Sequence, residues 1–162
     1  MGLALLSLGS NIKPYTHLRA AARALREEFP GVVFSPVYRY TAVGFDGPDF
    51  LNAGAALRTR LGPEALNDWL HALEDAQGRR RDVPRFSSRT LDIDLVFYDD
   101  RVCKGSGHLH LPRPELKHRF VLQPLAAIAP DFIDPVSGES LATLWDRSPE
   151  RAGAPGPVDL VL

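Results

Sequence analysis

Two aspartates two residues apart carry the strongest chemical signal in this sequence. Asp92 and Asp94 belong to the segment Leu-Asp-Ile-Asp-Leu at 91–95. In a β-strand, alternate residues share a face, with Cα atoms about 6.6 Å apart. Neighbouring carboxylates repel and raise each other's pKa, and Mg²⁺ removes that penalty when phosphate oxygens and water complete its coordination. The pair predicts a magnesium site; a solvated strand face or pairing with nearby arginines is the alternative.

Basic residues cluster around this pair. Residues 79–119 contain ten Lys and Arg against six acidic residues, a local charge of +4 in a chain whose net charge is −1. Guanidinium groups bind phosphate through paired hydrogen bonds, and phosphoryl transfer combines such groups with a metal held by carboxylates. The pattern favours phosphoryl-transfer chemistry; the alternative is a network of exposed ion pairs, which contribute little to stability.

Other polar residues are weaker candidates. Asn52 follows Phe50 in a predicted strand, so an amide and an aromatic ring are available to a flat heterocycle, although Asn52 could equally satisfy its own backbone. Glu74 precedes the arginine-rich loop and could accept a hydrogen bond from a ribose or a base; a solvent-facing role is the alternative. His108 and His110 share a strand face without a third ligand at a telling spacing, so zinc is not expected.

The elements that must position these residues follow from hydrophobic periodicity and turn residues. Gly9-Ser10-Asn11 ends the first strand as a turn and lacks the spacing and lysine of a phosphate-binding P-loop. Pro36 weakens the second strand and indicates an edge or a bulge. The predicted order is strand 3–8, helix 14–29, strand 32–40, strand 50–61, a helix from Pro63 closed by Gly78, and strand 90–98.

This order predicts an α+β fold, a ferredoxin-like sandwich with a mainly antiparallel sheet and helices packed on one of its faces. A short strand near 109–111, a helix over 120–128 that contains Pro124, and a short helix over 141–145 extend it. Residues 1–147 are expected to form one catalytic domain. The remainder, 148–162, contains three prolines and two glycines without helical periodicity and is predicted to be a flexible tail.

Composition excludes several classes of protein. The chain has 162 residues, 44% of them hydrophobic and 24% charged, which is typical of one soluble domain. Its net charge of −1 gives no field for nucleic acids or anionic membranes, its single cysteine cannot form an internal disulfide, and no apolar run approaches the roughly 20 residues that span a bilayer. We expect a cytoplasmic protein with small-molecule substrates and without nucleic-acid, membrane or obligatory protein partners.

Four segments, taken in order, resemble the 6-hydroxymethyl-7,8-dihydropterin pyrophosphokinase (HPPK) family. They are LSLGSN at 6–11, DFLN at 49–52, RFSSRTLDID at 85–94 and PLAAIAP at 124–130. The likeness covers about residues 3–146. It implies a ferredoxin-like enzyme of folate biosynthesis that transfers diphosphate from its co-substrate ATP to the pterin hydroxymethyl group and releases AMP, with two Mg²⁺ ions.

The resemblance also implies roles for individual residues. Asp92 and Asp94 would hold the metals, with Arg79 and Arg89 as further catalytic residues. The implied ATP-binding residues are Glu74, Arg81, Arg113 and Arg119. The implied pterin-binding residues are Thr41, Val43, Phe50, Asn52 and Phe120, of which the two phenylalanines would sandwich the ring.

Several positions depart from the family pattern. Arg113 stands where many members have histidine, and the segment before Phe120 is one residue short, so either His118 or Arg119 could take the role of a family arginine. Ser87, Phe86 and the Thr41-Ala42 pair also differ from the usual residues. None of these changes removes a charge that the reaction needs. No residue is a convincing general base, so removal of the hydroxyl proton stays unassigned, and water could accept it.

Two other functions fit parts of the pattern. The same sheet topology occurs in RNA-binding domains, which display aromatic residues on a basic sheet, whereas here the central strand displays two aspartates. A nucleotidyltransferase also combines Gly-Ser with Asp-X-Asp, but within about a dozen residues, whereas some eighty residues separate them here.

Overall fold

The computed structural model describes residues 1–79, 82–83, 87–104 and 109–162. The strands are β1 (Gly2–Ser10), β2 (Val33–Phe34), β3 (Tyr38–Tyr40), β4 (Phe50–Thr59), β5 (Asp92–Tyr98), β6 (Cys103–Lys104) and β7 (His110–Leu111). The helices are α1 (Pro14–Glu28), α2 (Pro63–Ala76), α3 (Arg119–Ile128) and α4 (Leu141–Arg147), with a 3-10 turn at Pro114–Lys117. Within these residues, every helix is too short or too polar to cross a membrane.

The main sheet is antiparallel throughout. Its strand order is β2-β4-β1-β5, and β3 pairs with the same strand, β4, as β2 does. The second predicted strand is therefore split at the edge of the sheet, where Pro36 lacks the N–H group that a continuous strand needs. Together with α1 and α2, this order is the topology of a ferredoxin-like sandwich, which confirms the predicted fold class.

One face of the sheet packs against α1 and α2. Leu6 and Leu8 of β1 and Ile93 of β5 point to this face, because alternate strand residues share a side. Each helix contributes an apolar stripe with spacings of three and four residues. The stripes comprise Leu18, Ala21, Ala22 and Leu25 of α1, and Leu66, Leu70 and Leu73 of α2.

The opposite face carries a second apolar cluster, under α3 and α4. Leu5 and Phe97 of the sheet pack here with Leu122 and Leu125 of α3. The expectation of helices on a single face is thus corrected, because α3 and α4 cover part of the other face. Gly54 permits this packing, since a Cβ atom there would lie 2.9 Å from Leu125 Cδ2 and 3.3 Å from the Leu125 backbone nitrogen.

The prediction of a flexible tail at residues 148–162 is also corrected, because this C-terminal segment packs on the domain. Leu160 and Leu162 are buried in the first apolar cluster. The Val158 N–H donates to the Val37 carbonyl at 2.7 Å, and Pro157 forms a β-bridge with Tyr38. The proline-rich composition gives this segment no regular element of its own, but its two leucines reach apolar surface left open by the sandwich.

Candidate active site

The pairing of three strands brings Asn52, Asp92 and Asp94 into two rows on the face shared with α3. Gly9 of β1 lies opposite Asn52 of β4 on one side and opposite Asp92 of β5 on the other. In the next row, Ser7 lies between Gly54 and Asp94. Residues opposite one another across antiparallel strands share a face. The Asn52 amide, 40 residues before Asp92 in the chain, therefore lies on the same side of the sheet as both aspartates.

Asp92 and Asp94 form an acidic pair whose surroundings disfavour the charged form of Asp94. The Asp92 side chain is 41% exposed and the Asp94 side chain is 27% exposed. Loss of hydration, followed by repulsion from Asp92, raises the pKa of Asp94 well above its ordinary value, while Arg113 acts in the opposite direction. A cation bound between the carboxylates would relieve this repulsion.

Arg79 connects the end of α2 to the acidic pair. Its Nη1 group donates to Glu74 Oε2 at 2.9 Å, to the Leu91 carbonyl at 3.0 Å and to Asp92 Oδ1 at 3.2 Å. The Arg79 side chain is 13% exposed, and its Nε atom is buried without a hydrogen-bond partner among the described residues. One guanidinium is thus held in place by three oxygens and keeps a donor available.

Glu74 lies inside the protein, so the solvent-facing interpretation is wrong. It is 2% exposed, and its Oε2 atom accepts both the Ile93 N–H at 2.9 Å and Arg79. Its carboxylate therefore links α2 to β5 beside Asp92. The expected contact with ATP stays a prediction.

Two further arginines surround the carboxylates. Arg113 Nη2 lies 3.7 Å from Asp94 Oδ1, and its Nε lies 3.5 Å from Glu115 Oε2. Arg89 interacts electrostatically with Arg79 and with both aspartates; burial and then the charge of Arg79 lower its pKa. The structure thus places Arg89 and Arg113, two of the arginines named in the sequence analysis, near the acidic pair.

Asn52 carries a buried acceptor that lacks a partner in the described chain. It is 6% exposed; its Nδ2 donates to the Leu8 carbonyl at 3.3 Å, whereas its Oδ1 has no hydrogen-bond partner. A Cβ atom on Gly9 would lie 2.6 Å from Nδ2, so only glycine leaves room for the amide. A buried polar atom without a partner costs free energy unless a ligand satisfies it.

The two predicted phenylalanines each pack against another aromatic ring. Phe50, two residues before Asn52 on the same face, packs edge-on against Phe45 with ring centroids 6.4 Å apart. Phe120, the second residue of α3, stacks on His118, with centroids 5.1 Å apart and an interplanar angle of 13°. The two phenylalanines expected to sandwich a ligand thus lie on separate elements, β4 and α3.

The remaining predicted residues are less closely tied to the acidic pair. Thr41 and Val43 lie on the loop between β3 and β4, and both are exposed. Arg119 places its guanidinium 5.9 Å from the ring centroid of Tyr40. Arg81 lies outside the described residues, as do Phe86 and His108.

Asn11 is a site residue that sequence analysis missed. It is 4% exposed, and its Oδ1 accepts the Arg89 N–H at 2.7 Å. Its Nδ2 donates to the Pro48 carbonyl at 3.1 Å and to Ser88 Oγ at 3.2 Å. One amide thereby joins the loop before β4 to the segment before β5. The turn residues Gly9-Ser10-Asn11 marked its position, but only the fold brings those two segments to it.

The donor set fits magnesium better than a metal held entirely by protein. Among the described residues, no group of three or more His, Cys, Asp or Glu side chains converges on one point. The carboxylates of Asp92 and Asp94 remain as candidate ligands, and the pKa of Asp94 is raised by burial and by repulsion from Asp92. Mg²⁺ is commonly held by one or two carboxylates while phosphate oxygens and water complete its coordination. This arrangement suits a metal ion that is shared with the phosphate groups of a substrate.

Comparison with known proteins agrees with the resemblance seen in the sequence motifs. The family model described as 7,8-dihydro-6-hydroxymethylpterin-pyrophosphokinase (HPPK) matches residues 5–130. The chain is 39% identical over 148 residues to 2-amino-4-hydroxy-6-hydroxymethyldihydropteridine pyrophosphokinase of Synechocystis, covering 89% of this chain and 75% of that protein. The enzyme of the same name from Pseudomonas aeruginosa is 40% identical over 138 residues, covering 78% of this chain and 80% of that one.

Longer proteins contain a similar region. Folic acid synthesis protein fol1 of Schizosaccharomyces pombe is 31% identical over 154 residues, which are 92% of this chain and 21% of fol1. A crystal structure of a Plasmodium falciparum HPPK-DHPS triple mutant with pteroate superposes with a TM-score of 0.71 at 13% identity, covering 93% of this chain and 44% of that chain. At that identity the structural likeness supports the fold alone.

Proposed function

The chain belongs to the 7,8-dihydro-6-hydroxymethylpterin-pyrophosphokinase (HPPK) family, and we infer that it transfers diphosphate from ATP to 6-hydroxymethyl-7,8-dihydropterin in folate biosynthesis. The products are AMP and the pterin diphosphate. The observation that carries this inference to particular residues is the pair of rows on the sheet, in which Asn52, Asp92 and Asp94 share a face with three arginines nearby.

The pterin side of the proposal rests on Asn52 and the two phenylalanines. The unpartnered Asn52 Oδ1 supports binding of an N–H donor on the edge of a heterocycle. The rings of Phe50 and Phe120 supply apolar surface for its flat faces. Burial of the amide excludes water from this contact, so a ligand that lacks the donor leaves the acceptor unsatisfied and binds less tightly.

The ATP side rests on the arginines and the acidic pair. We propose that Arg79, Arg89 and Arg113, with Arg81 and Arg119, bind the triphosphate and take up the charge that develops during transfer. Glu74 and Asp92 hold Arg79 in place before substrate binds, so little reorganisation is needed. Asp92 and Asp94 would hold Mg²⁺, and the bound ions would neutralise phosphate charge and align its oxygens.

The chemical step is a direct displacement. The pterin hydroxyl oxygen forms a bond to the β-phosphorus of ATP, while the bond from that phosphorus to the oxygen of the departing AMP breaks. The hydroxyl proton is lost to solvent in this scheme, because no described side chain is assigned as its base. Alignment of the two substrates and neutralisation of charge lower the barrier, without a covalent intermediate on the protein.

The test is the conversion of ATP to AMP by the purified protein with Mg²⁺ and 6-hydroxymethyl-7,8-dihydropterin. The Asp92→Ala/Asp94→Ala double variant is the control for the acidic pair, and circular dichroism verifies that it folds. We expect AMP and the pterin diphosphate in equal amounts from the wild type and neither from the double variant. Formation of ADP would contradict the proposal, because it would place the attack on the γ-phosphorus; so would absence of turnover in folded protein.

The remaining expectations concern cellular context. Catalysis by the single chain on small molecules, without nucleic acid, membrane or an obligatory protein partner, stays a prediction. The same holds for a cytoplasmic location, which would supply both ATP and the pterin.

A further inference from the structure

The first turn of α3 lacks a cap from its own residues. The residue before the helix, His118, makes no capping hydrogen bond with its side chain, and the first turn contains no acidic residue. The N–H groups that open a helix need acceptors, and their partial positive charge favours a nearby anion. An acceptor for this turn therefore comes from water or from another part of the chain.

Glu150 of the C-terminal segment supplies that acceptor. Its Oε1 accepts the Arg119 N–H at 3.2 Å, and its Oε2 lies 3.1 Å from His118 Nδ1. Both oxygens of one carboxylate are thus directed at the start of α3, from a position 31 residues later in the chain. The same contact holds the His118 ring, which stacks on Phe120.

The C-terminal segment reaches α3 at a second point, one turn further along. The Gln123 side chain donates to the Pro155 carbonyl at 2.9 Å and accepts the Tyr40 hydroxyl at 2.6 Å. Tyr40 lies opposite Phe50 in the sheet, and Arg119 lies over its ring. The segment therefore fixes the helix relative to β3, the strand that borders the proposed pterin site.

We propose that Glu150 is a positioning residue: it fixes the first turn of α3, so that Arg119 and Phe120 present one conformation to the substrates. The proposal rests on the function proposed above, because it assigns these two residues to substrate binding. It also distinguishes the two candidates for the family arginine. His118 is committed to Glu150 and Phe120, whereas the Arg119 guanidinium has no carboxylate within ion-pair distance among the described residues and can receive phosphate.

The test compares Glu150→Ala, Glu150→Gln and the control Glu139→Gln in the full chain. Glu139 pairs with Arg147 of α4, and its hydrogen bonds to described residues involve no residue of α3. We expect Glu150→Ala to lower kcat/KM for AMP formation roughly tenfold, the size of effect typical of a lost cap, mainly through higher KM values. Glu150→Gln should stay within about threefold of the wild type, because its amide oxygen still accepts the Arg119 N–H. Glu139→Gln should match the wild type.

A merely structural role gives a different result. The proposal is wrong if the KM values of Glu150→Ala return to those of the wild type on cooling. It is also wrong if they equal those of the wild type at every temperature. A second readout does not depend on activity: hydrogen exchange of the Arg119 amide should be roughly tenfold faster in Glu150→Ala than in the wild type. Unchanged exchange would overturn the positioning role. If the wild type makes no AMP, the proposed function fails, and the exchange measurement still decides whether Glu150 fixes the turn.

Discussion

At the scale of single residues, the acidic pair favours ligand binding at the expense of stability. Asp94 has a raised pKa because it is poorly hydrated and faces Asp92, so its charged form destabilises the protein whenever no cation is bound. Residues arranged for function commonly violate a local rule of stability. The two properties can therefore be separated by a single substitution.

We predict that Asp94→Asn stabilises the metal-free protein and abolishes its activity. Removing the repelling charge should contribute on the order of 1 kcal/mol, or roughly 2–4 °C in melting temperature for a chain of this size. AMP formation should fall at least about a hundredfold, because a proposed magnesium ligand is lost. Thermal unfolding in EDTA and the AMP assay measure both effects, and Asp131→Asn, at an exposed aspartate after α3, is the control.

The sign of the pH dependence follows from linkage. A carboxyl group whose pKa is raised on folding binds more protons in the folded state, so stability increases as the pH falls from the raised pKa to the ordinary value. The advantage of Asp94→Asn over the wild type should be complete above the raised pKa and vanish below the ordinary one. An advantage that grows on acidification would contradict this explanation.

Residue types alone drew attention to the acidic pair and the arginines, and the fold brings Arg79, Arg89 and Arg113 close to that pair. They did not identify Asn11, whose three partners come from segments 37 to 78 residues away. They also misjudged the burial of Glu74. A glutamate next to a polar loop predicts exposure, and only the Ile93 N–H and Arg79 explain why this one is buried.

At the scale of elements, Asn11 connects two loops that flank the proposed substrate sites. We predict that Asn11→Ala lowers kcat/KM for AMP formation roughly tenfold or more, since both loops lose hydrogen bonds to a buried amide. Asn11→Asp is the matched variant: it keeps the acceptor for the Arg89 N–H and loses the donor to Pro48 and Ser88.

The comparison of the two variants assigns the effect to one loop. Limited proteolysis should detect faster cleavage within 41–49 in both of them, because both lose the bond to Pro48. Exchange of the Arg89 amide should accelerate only in Asn11→Ala. Equal behaviour of the two variants at Arg89 would contradict the role assigned to Oδ1.

Close packing of α3 on β4 depends on Gly54. We predict that Gly54→Val costs roughly 2 kcal/mol of unfolding free energy, because its side chain would overlap Leu125 and the helix backbone. Gly156→Ala is the control: a Cβ atom there has no neighbour within 4 Å and Gly156 lies outside the helices and strands, so its effect should stay within about 0.5 kcal/mol. Urea unfolding measures both, and equal costs would show that α3 yields without penalty.

The main helices and strands were predictable because each has a strong local pattern. The stripes of α1 and α2 and the turn residues that bound them lie in continuous stretches of sequence. The side of the sheet that α3 occupies was not predictable in this way. It depends on the absence of a side chain at Gly54, more than 60 residues before the helix.

At the scale of the complete domain, the C-terminal segment contacts three separate parts of the α+β sandwich. It contacts α3 through Glu150 and Pro155, the edge strand β3 through Pro157, and the first apolar cluster through Leu160 and Leu162. An exposed strand edge invites pairing with other chains, and the bridge at Tyr38 covers part of this edge.

Two adjacent residues test whether this segment belongs to the folded domain. Leu160 is 4% exposed and Val161 is 91% exposed. We predict that Leu160→Ala costs roughly 2 kcal/mol of unfolding free energy through lost burial and the cavity left behind. Val161→Ala should change it by less than about 0.5 kcal/mol. Urea unfolding of both variants gives the comparison, and a neutral Leu160→Ala would mean that the segment is mobile in solution.

Local sequence patterns were sufficient to predict the order of elements, the ferredoxin-like class, the acidic pair with its arginines, and the family. These follow from local periodicity and from motifs of charged residues, which need no knowledge of distant contacts. The folded structure was needed to show which face α3 covers, where the C-terminal segment lies, and that Asn11, Glu74 and Glu150 connect separate elements. The physical reason is that each of these depends on a hydrogen bond or a packing contact between residues far apart in the chain, and a sequence records the partners without their pairing.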